Sequence, residues 1–418
     1  DFQIKNTLNR SFGPTSPRQF DSGGLRYTQQ VANLDLAKEI GFGGFKSVTL
    51  AGGLEYRWET FRLRPGSPGS YQNGGLGGPS GAQGFPGIAP VIGGQRVDRT
   101  RKRHNFSAYA EIDTDISDAF SVQVAGRYED YSDFGSDWNG KIAARFEPVE
   151  GFALRGAAST GFRAPSLQQQ FFSASATNNV GGVLLETVTL PIDNPIAIAL
   201  GATPLKAETS VSYSGGFVIT AVPKLNITVD AYQVTIDDRI VVTDNLTATR
   251  TGGLPSGANP GFSIAQILNA AGFNNTNAAR FFVNGVDTRT RGLDAVATYR
   301  TGLADGKLAL TAGFNYNKTK LERILAAPGP LAAVPGIVLF GRQEQLRLTD
   351  GQPRTKINFS VDYDRDWFGF TARTNRFGKV LAAGADLFND VQLGAKWVTD
   401  LEARFTIAQK FDLAFGAN

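Results

Sequence analysis

The sequence predicts an all-β fold, a large antiparallel transmembrane β-barrel, from three observations. Segments of about ten to fourteen residues alternate apolar and polar side chains. Short and long connections alternate between these segments along the chain. The chain has a mean hydropathy of −0.17 and lacks the run of about eighteen apolar residues that a spanning helix needs. A closed barrel is therefore the membrane architecture that this chain is able to form.

The segment 46–59 shows the alternation most clearly. Side chains of successive residues lie on opposite faces of a strand. Fourteen residues at roughly 3.3 Å each reach about 46 Å, longer than an ordinary sandwich strand, and cross a bilayer core of roughly 30 Å when tilted by about 40°. The apolar face holds Val48, Leu50, Leu54, Tyr56 and Trp58, and the polar face holds Ser47, Thr49, Glu55, Arg57 and Glu59.

The same pattern predicts fifteen strands along the chain, which we read as one domain. They cover 1–9, 25–36, 46–60, 103–113, 120–131, 139–147, 152–160, 208–220, 224–236, 289–300, 307–319, 354–363, 367–377, 396–407 and 411–418. Bacterial barrels normally have an even strand number. The count therefore predicts an incomplete barrel, and zero Met residues agree with a processed chain or a fragment.

The connections fall into two alternating classes. Turn formers such as Pro148, Gly151, Pro223, Gly302 and Gly306 mark the short ones. Outer-membrane barrels have short periplasmic turns and long extracellular loops. Short connections are predicted at 37–45, 114–119, 148–151, 221–223, 301–306, 364–366 and 408–410. Long connections are predicted at 10–24, 61–102, 161–207, 237–288, 320–353 and 378–395, with 132–138 as a short exception.

Side chains at strand ends and on the polar faces fit this arrangement. An interfacial girdle is predicted from Tyr56, Trp58, Tyr128, Tyr131, Trp138, Trp367 and Trp397, with the aromatic core of a sandwich as the alternative. A water-filled or plugged lumen is predicted to receive Glu111, Arg127, Lys141, Arg145 and Arg155, since a packed interior would not accept unpaired charges.

The charge of the chain does not predict a nucleic-acid partner. The 42 basic and 38 acidic residues give a net charge of +4 and are interspersed. One tight basic cluster comprises Arg99, Arg101, Lys102 and Arg103. Two interpretations of it stay open: a solvated loop end, which we favour, and a contact with anionic lipid headgroups.

The run Thr160-Gly161-Phe162-Arg163-Ala164-Pro165-Ser166-Leu167-Gln168 closely resembles the conserved stretch of TonB-dependent outer-membrane receptors. Other segments resemble further parts of the same family. They are Leu205-Lys206-Ala207-Glu208-Thr209, Thr290-Arg291-Gly292-Leu293-Asp294, Gly416-Ala417-Asn418 and Tyr128-Glu129-Asp130-Tyr131-Ser132-Asp133-Phe134-Gly135.

This resemblance implies a receptor in the outer membrane of a Gram-negative bacterium. The family imports a scarce nutrient through a barrel of about 22 strands that encloses a plug domain on which the TonB complex pulls. The nutrient expected here is a ferric siderophore complex. We expect the chain to be this barrel truncated at both ends, without its own plug domain, a TonB box or the last strand. Ala207 departs from the family, which usually has Pro there.

The motif itself is predicted to be structural. Pro165 ends the strand ladder by removing a donor, Gly161 permits an irregular backbone, and Arg163 holds neighbouring strands or the plug. Phe162, Ala164, Ser166 and Leu167 complete the motif. The residues predicted to contact the ligand are Gln168, Gln169, Gln170, Phe171 and Phe172, together with Tyr71, Asn73 and Gln83 in the Gly- and Pro-rich segment 65–94.

Other chemistry is not predicted. The one histidine, His104, is expected to be an interfacial structural residue, which disfavours haem uptake. Asp113, Asp115 and Asp118 suggest a calcium loop, but its sixth position is Asp118 rather than Gly and its twelfth is Val124 rather than Glu, so we interpret the segment as a hydrophilic turn. No catalytic residues, metal site or cofactor are predicted. Three alternatives to the receptor stay open: a passive porin, an adhesin or glycan-binding envelope barrel, and a secreted β-rich glycosidase.

Overall fold

A computed structural model describes residues 2–6, 8–41, 43–72, 74–76, 83–85, 100–180, 183–247, 264, 267, 278–334, 337–384, 387–408 and 410–418. Its main element is a 15-stranded sheet, the wall, in which each strand pairs antiparallel with its neighbours in the chain. The wall strands are β1 Phe2–Asn6, β2 Phe20–Ile40, β3 Ser47–Pro65, β4 Thr100–Asp115, β5 Phe120–Tyr131, β6 Gly135–Val149, β7 Phe152–Arg163, β8 Glu208–Ile219, β9 Leu225–Val242, β10 Phe282–Leu303, β11 Gly306–Ile324, β12 Thr355–Arg365, β13 Phe368–Phe377, β14 Lys396–Ile407 and β15 Phe411–Ala417.

Each predicted strand corresponds to one of these wall strands, which confirms the all-β architecture. Several strands run further into the long connections than predicted. For example, β10 begins at Phe282 rather than at residue 289. Among the described residues, β1 and β15 are the edges of the wall and no pairing joins them.

The two faces of the wall have opposite character, as the alternation predicted. One face, the outer face, carries large apolar side chains that remain accessible, among them Leu54 at 49% and Phe359 at 47% exposure. The other, the inner face, carries the ion pairs of Arg127 with Glu129 and of Arg155 with Asp230. Within the described part of the chain, the buried apolar clusters lie under the long connections and not against the outer face.

Short turns join the wall strands at one end. The turn Ala304-Asp305 has positive φ at both residues, 45° and 62°, which is the two-residue hairpin geometry whose twist suits adjacent antiparallel strands. The long connections gather at the other end of the wall. The connection between β5 and β6 is the predicted short exception, at 132–134.

The long connections contain small elements of their own. Strands Gln83–Gly84, Ala174–Val180, Val183–Thr189, Leu246–Thr247 and Ala278–Arg280 form a five-stranded sheet, and Val380–Ala382 pairs with Val391–Leu393. Helices cover Leu167–Phe171, Pro195–Ala199 and Arg342–Thr349, with 3-10 turns at Arg10–Thr15, Pro68–Ser70, Gly329–Ala333 and Leu387–Asn389. Across the described residues, none of the helices has the length and apolar character needed to cross a bilayer.

Two apolar cores stabilise these connections. The larger core joins Leu200, Phe281, Leu331 and Phe340 from three different connections, since Leu331 and Phe340 both lie between β11 and β12. The smaller core joins Phe61 and Leu63 at the end of β3 to Phe85, Leu167 and Ala174. Because both cores are built from residues far apart in sequence, the long connections form a folded layer at this end of the wall.

Candidate functional site

The predicted motif lies where β7 ends under the layer of long connections. The strand stops at Arg163, two residues before Pro165, which agrees with a proline that terminates the ladder. Ser166 then caps the helix Leu167–Phe171, and its hydroxyl accepts from the backbone N–H of Gln169 at 3.0 Å. The Gln169 side chain accepts in return from the Ser166 N–H at 3.0 Å, which completes a capping box.

Arg163 ties three wall strands together. Its guanidinium makes a bidentate ion pair with Glu208, the first residue of β8, with one bond at 2.9 Å. Glu208 is buried and also accepts from the backbone N–H of Ile240 in β9 at 2.6 Å. Ionised, bidentate pairs are among the stronger hydrogen bonds in proteins. These bonds link β7, β8 and β9 through Arg163, and its role in holding neighbouring strands or the plug stays a prediction.

A second arginine, Arg103, anchors the backbone of the motif. Its Nε donates to Glu59 at 2.6 Å, and its Nη1 donates to the carbonyl oxygen of Pro165 at 2.6 Å. Arg103 and Glu59 are each 6% exposed, so the pair is buried between β3, β4 and the motif. This bond was not predictable from the sequence, because Arg103 and Pro165 are 62 residues apart.

The residues after the motif are mostly engaged within the chain. Gln170 is buried, and its amide donates to Asp133 at 2.9 Å. Phe171 lies beneath the guanidinium of Arg101 at 4.3 Å from the ring centroid, and Phe172 packs edge-on against Phe85. Gln168 is exposed. Ligand contact by Gln168, Gln169, Gln170, Phe171 and Phe172 therefore stays a prediction, and Gln168 is the most accessible of the five.

The second predicted contact segment is partly described. Tyr71 follows the 3-10 turn Pro68–Ser70 and is half-buried. The backbone of Gln83 pairs with Ala176 in the five-stranded sheet of the loop layer. Asn73 and the side chain of Gln83 lie outside the described residues. Ligand contact by these three residues also stays a prediction.

Of the aromatic residues predicted as a girdle, Tyr56 and Trp58 lie within β3, and the others lie near the ends of wall strands. On the outer face, Tyr56 contacts Trp58 at 4.3 Å between ring centroids and stacks on His104 at 6.0 Å. Tyr128 and Trp138 form a second pair at 4.8 Å. At the other positions Trp397 stacks on Phe359, and Trp367 lies by Phe368 near a short turn.

Tyr131 differs from the other residues predicted for the girdle. It is 7% exposed, and its hydroxyl donates to Glu129 on the inner face at 2.9 Å. Arg103 lies 5.2 Å from its ring. The structure thus gives Tyr131 a place in the buried polar network at the motif, because it is an odd-numbered residue of a strand whose even-numbered residues face outward.

The inner face presents paired charges. Arg127 donates to Glu129 at 2.5 Å, Arg145 to Glu147 at 2.5 Å, and Gln123 to Glu111 at 2.8 Å. A concave region of about 310 Å³ lies on this face, lined by Asp113, Gln123, Lys141, Arg145, Arg155 and Asp230. The charges predicted for the lumen are therefore on the inner face, and most of them have partners there.

An ion pair links two connections of the loop layer. Arg342, at the start of the helix Arg342–Thr349, pairs with Asp390, and Asp390 also accepts from the backbone N–H of Gly384 at 2.9 Å. The hydrogen bond from Arg342 lowers the pKa of Asp390 below its ordinary value. Among the side chains that the structure describes, no cluster of three or more His, Asp or Glu groups suits a metal ion.

Comparison with known proteins matches this architecture to one family. A family model described as TonB dependent receptor-like, beta-barrel matches residues 2–418. The comparison with curated proteins gave no match.

Similar solved structures share the fold at low sequence identity. The siderophore receptor PirA from Acinetobacter baumannii is 15% identical, with a TM-score of 0.60, over 99% of this chain and 54% of that chain. A mutant of the ferric enterobactin receptor PfeA from Pseudomonas aeruginosa is 17% identical, with a TM-score of 0.61, over 97% of this chain and 49% of that chain. The chain thus spans about half the length of these proteins.

Proposed function

This chain belongs to the family of TonB-dependent receptor β-barrels, and we propose that it forms the wall of an outer-membrane receptor that imports a ferric siderophore. The family comprises receptors and transporters rather than enzymes. The whole receptor would include a plug domain in the lumen and would be energised through TonB. In this orientation the short turns are periplasmic and the layer of long connections faces the medium.

The observation that carries the proposal is the contrast between the two faces of the wall. Accessible apolar side chains on the outer face suit lipid, whereas ion pairs such as Arg155 with Asp230 on the inner face suit water or a polar plug. The similar structures are named as siderophore receptors, which supports an iron-chelate ligand as the first class to test.

Within this proposal the ligand meets the chain at the junction of the loop layer and the inner face. Gln168 has an accessible amide there, one helical turn before Phe171. The guanidinium of Arg101 lies over the Phe171 ring, so the two residues offer a cation and an aromatic surface. Amide donors, a cation and aromatic rings together suit an anionic, aromatic chelate. Gln168→Ala should then weaken binding of the ferric siderophore. The matched variant Gln170→Ala should instead lower local stability, because it loses the hydrogen bond to Asp133.

The test is uptake of radioactive iron by cells that carry the full-length receptor. Cells lacking their own siderophore receptors would receive ferric enterobactin and a panel of other ferric siderophores, in strains with and without TonB. Saturable uptake that requires TonB supports the proposal. Uptake without TonB would indicate a passive porin, and ligand binding without any uptake would indicate a non-transport envelope barrel; either result refutes it.

A further inference from the structure

A recess on the inner face of β4 to β7, the mid-wall recess, lies below the motif and apart from the predicted ligand contacts. Its inward-facing lining residues are Tyr109, Ala125, Arg127, Asn139, Lys141 and Ser159. Its volume of about 420 Å³ is within the range of small-molecule sites in proteins. Lys141 lies roughly midway between Gly135 and Val149, the two ends of β6, so the recess is near the middle of the height of the wall.

Lys141 carries the uncompensated charge of this recess. It is exposed, and among the described residues no carboxylate lies within ion-pair distance of its ammonium group. The arginines that face inward on either side of it are compensated, because Arg127 donates to Glu129 at 2.5 Å and Arg145 donates to Glu147 at 2.5 Å. The positive potential of the recess therefore comes from Lys141.

Acidic side chains lie outside the mid-wall recess. In the described part of the chain, no Asp or Glu lines it. Asp113 and Asp230 line the neighbouring concave region of about 310 Å³ that shares Lys141 with it, and Asp230 is paired with Arg155. An anion in the mid-wall recess would therefore meet a cation without first displacing a carboxylate.

Neutral hydrogen-bonding groups stand beside Lys141. Ser159 of β7 lies directly opposite Lys141, and Ser212 of β8 lies opposite Ser159. Directly opposite residues have Cβ atoms about 4.5–5.5 Å apart, so the ammonium and the two hydroxyls form one row across three strands. Asn139 adds an amide on β6. Within the described chain none of these four side chains is engaged in a hydrogen bond, so their donors are available to a ligand.

The shape of the recess suits a ligand larger than a single ion. Ala125 lies opposite Lys141 on β5, and its small side chain leaves space over the ammonium. Tyr109 forms the far side, with its hydroxyl donating to Asp35 at 2.7 Å, which fixes the ring. Ammonium, amide and hydroxyl donors suit anionic oxygens, and the ring adds an apolar surface.

We infer that the mid-wall recess binds the imported ligand inside the lumen, after the ligand leaves the mouth of the wall at Gln168, and that this ligand is an anionic chelate with negatively charged oxygens on its surface. Lys141 makes the charged contact, and Ser159, Ser212 and Asn139 donate the accompanying hydrogen bonds. The inference rests on the proposed function, because an importer brings its ligand to this depth.

The experiment compares single variants of the full-length receptor. Lys141→Gln removes the charge, Lys141→Arg keeps it, and Ala125→Glu places a carboxylate directly opposite Lys141. The matched control, Lys307→Gln, removes an exposed cation of the inner face near the short turns, opposite Asp364. Migration on unheated gels, where a folded barrel runs apart from the heated form, verifies that each variant folds.

Cells lacking their own siderophore receptors receive radioactive ferric enterobactin, which is anionic, or ferrichrome, which is neutral. Surface binding is measured in the cold, and the initial rate of TonB-dependent uptake is measured on warming. A hydrogen bond to a charged group contributes about tenfold or more in affinity. Lys141→Gln and Ala125→Glu should therefore slow uptake of ferric enterobactin about tenfold and leave its surface affinity within about twofold. Lys141→Arg, Lys307→Gln and any uptake of ferrichrome should stay within about twofold.

Equal slowing in Lys141→Gln and Lys307→Gln, or a wild type that imports ferrichrome and not the anionic chelate, would overturn the inference. A lysine that holds a carboxylate of the plug instead predicts a leak, so sensitivity of Lys141→Gln cells to vancomycin without any ligand would also overturn it. Wild-type cells without TonB-dependent uptake would refute the proposed function itself. Wild-type uptake that Lys141→Gln leaves unchanged refutes this inference alone.

Discussion

The facing of β3 makes a quantitative prediction for the variant Leu54→Arg. Leu54 is 49% exposed on the outer face and lies opposite Leu34, itself 58% exposed. It is four residues from Trp58, which corresponds to roughly 10 Å below the aromatic level at the usual strand tilt. The apolar band of such barrels is about 25 Å tall, so Leu54 lies near its middle.

An arginine at that depth should lower the free energy of unfolding by about 2–4 kcal/mol, because the guanidinium loses hydration without gaining a partner. A matched control is Ala51→Arg on the same strand. Ala51 faces inward and lies opposite Glu111. An Arg there gains an oppositely charged cross-strand neighbour worth about 0.2–1 kcal/mol, so stability should change by less than about 1 kcal/mol.

The assay is equilibrium unfolding of the full-length protein in phospholipid vesicles. Tryptophan fluorescence is followed against guanidinium concentration, and the free energy of unfolding is obtained by linear extrapolation. If Ala51→Arg destabilises the protein as much as Leu54→Arg does, the assignment of the two faces is refuted.

Three further predictions concern individual contacts. Glu59→Ala removes the nearer of two carboxylates from the buried guanidinium of Arg103 and leaves Asp133 at 3.6 Å, so it should cost up to about 3–5 kcal/mol. Hydrogen exchange of the motif should quicken, and unchanged exchange would contradict the anchoring role. Gly292→Ala places a Cβ against the ring of Tyr232 on the neighbouring strand and should lower the free energy of unfolding by about 1–3 kcal/mol by overpacking. In a double-mutant cycle, most of that loss should disappear when Tyr232→Ala is also present. Additive losses would show that the ring is not responsible. Because the pKa of Asp390 is lowered in the folded protein, its contribution to stability is fully present above the pKa of the unfolded chain and is lost as pH falls through the lower folded value. Exchange protection of the Gly384 amide, which donates to Asp390, should therefore fall below about pH 4. Protection that persists in acid would contradict the linkage.

The wall could be predicted from the sequence because its signal is local. A lipid-facing and a lumen-facing side impose strict alternation, so each of the fifteen wall strands was recognisable. The strand ends that extend into the long connections could not be predicted in this way. Beyond the apolar band both faces are polar or covered, as at Phe282 to Thr288 in β10, and the alternation no longer distinguishes strand from loop although the backbone pairing continues.

The site was predictable where the chemistry depends on neighbouring residues in the chain. Pro165 and Ser166 indicate the end of a strand and the start of a helix from their own properties. The partners of Arg163, Gln170 and Arg103 are 45, 37 and 62 residues away. Such bonds follow from the order of strands in the wall and have no local signature.

The opposite facing of Arg101 and Lys102 limits which length changes β4 can accept during evolution. Loss of a single codon near the start of this strand would reverse the facing of every residue that follows. Arg103 would then face the lipid and Phe106 the lumen. Loss of two codons would shorten the strand and preserve the facing. We therefore expect natural insertions and deletions within such strands to come in pairs of residues, whereas the long connections tolerate any number.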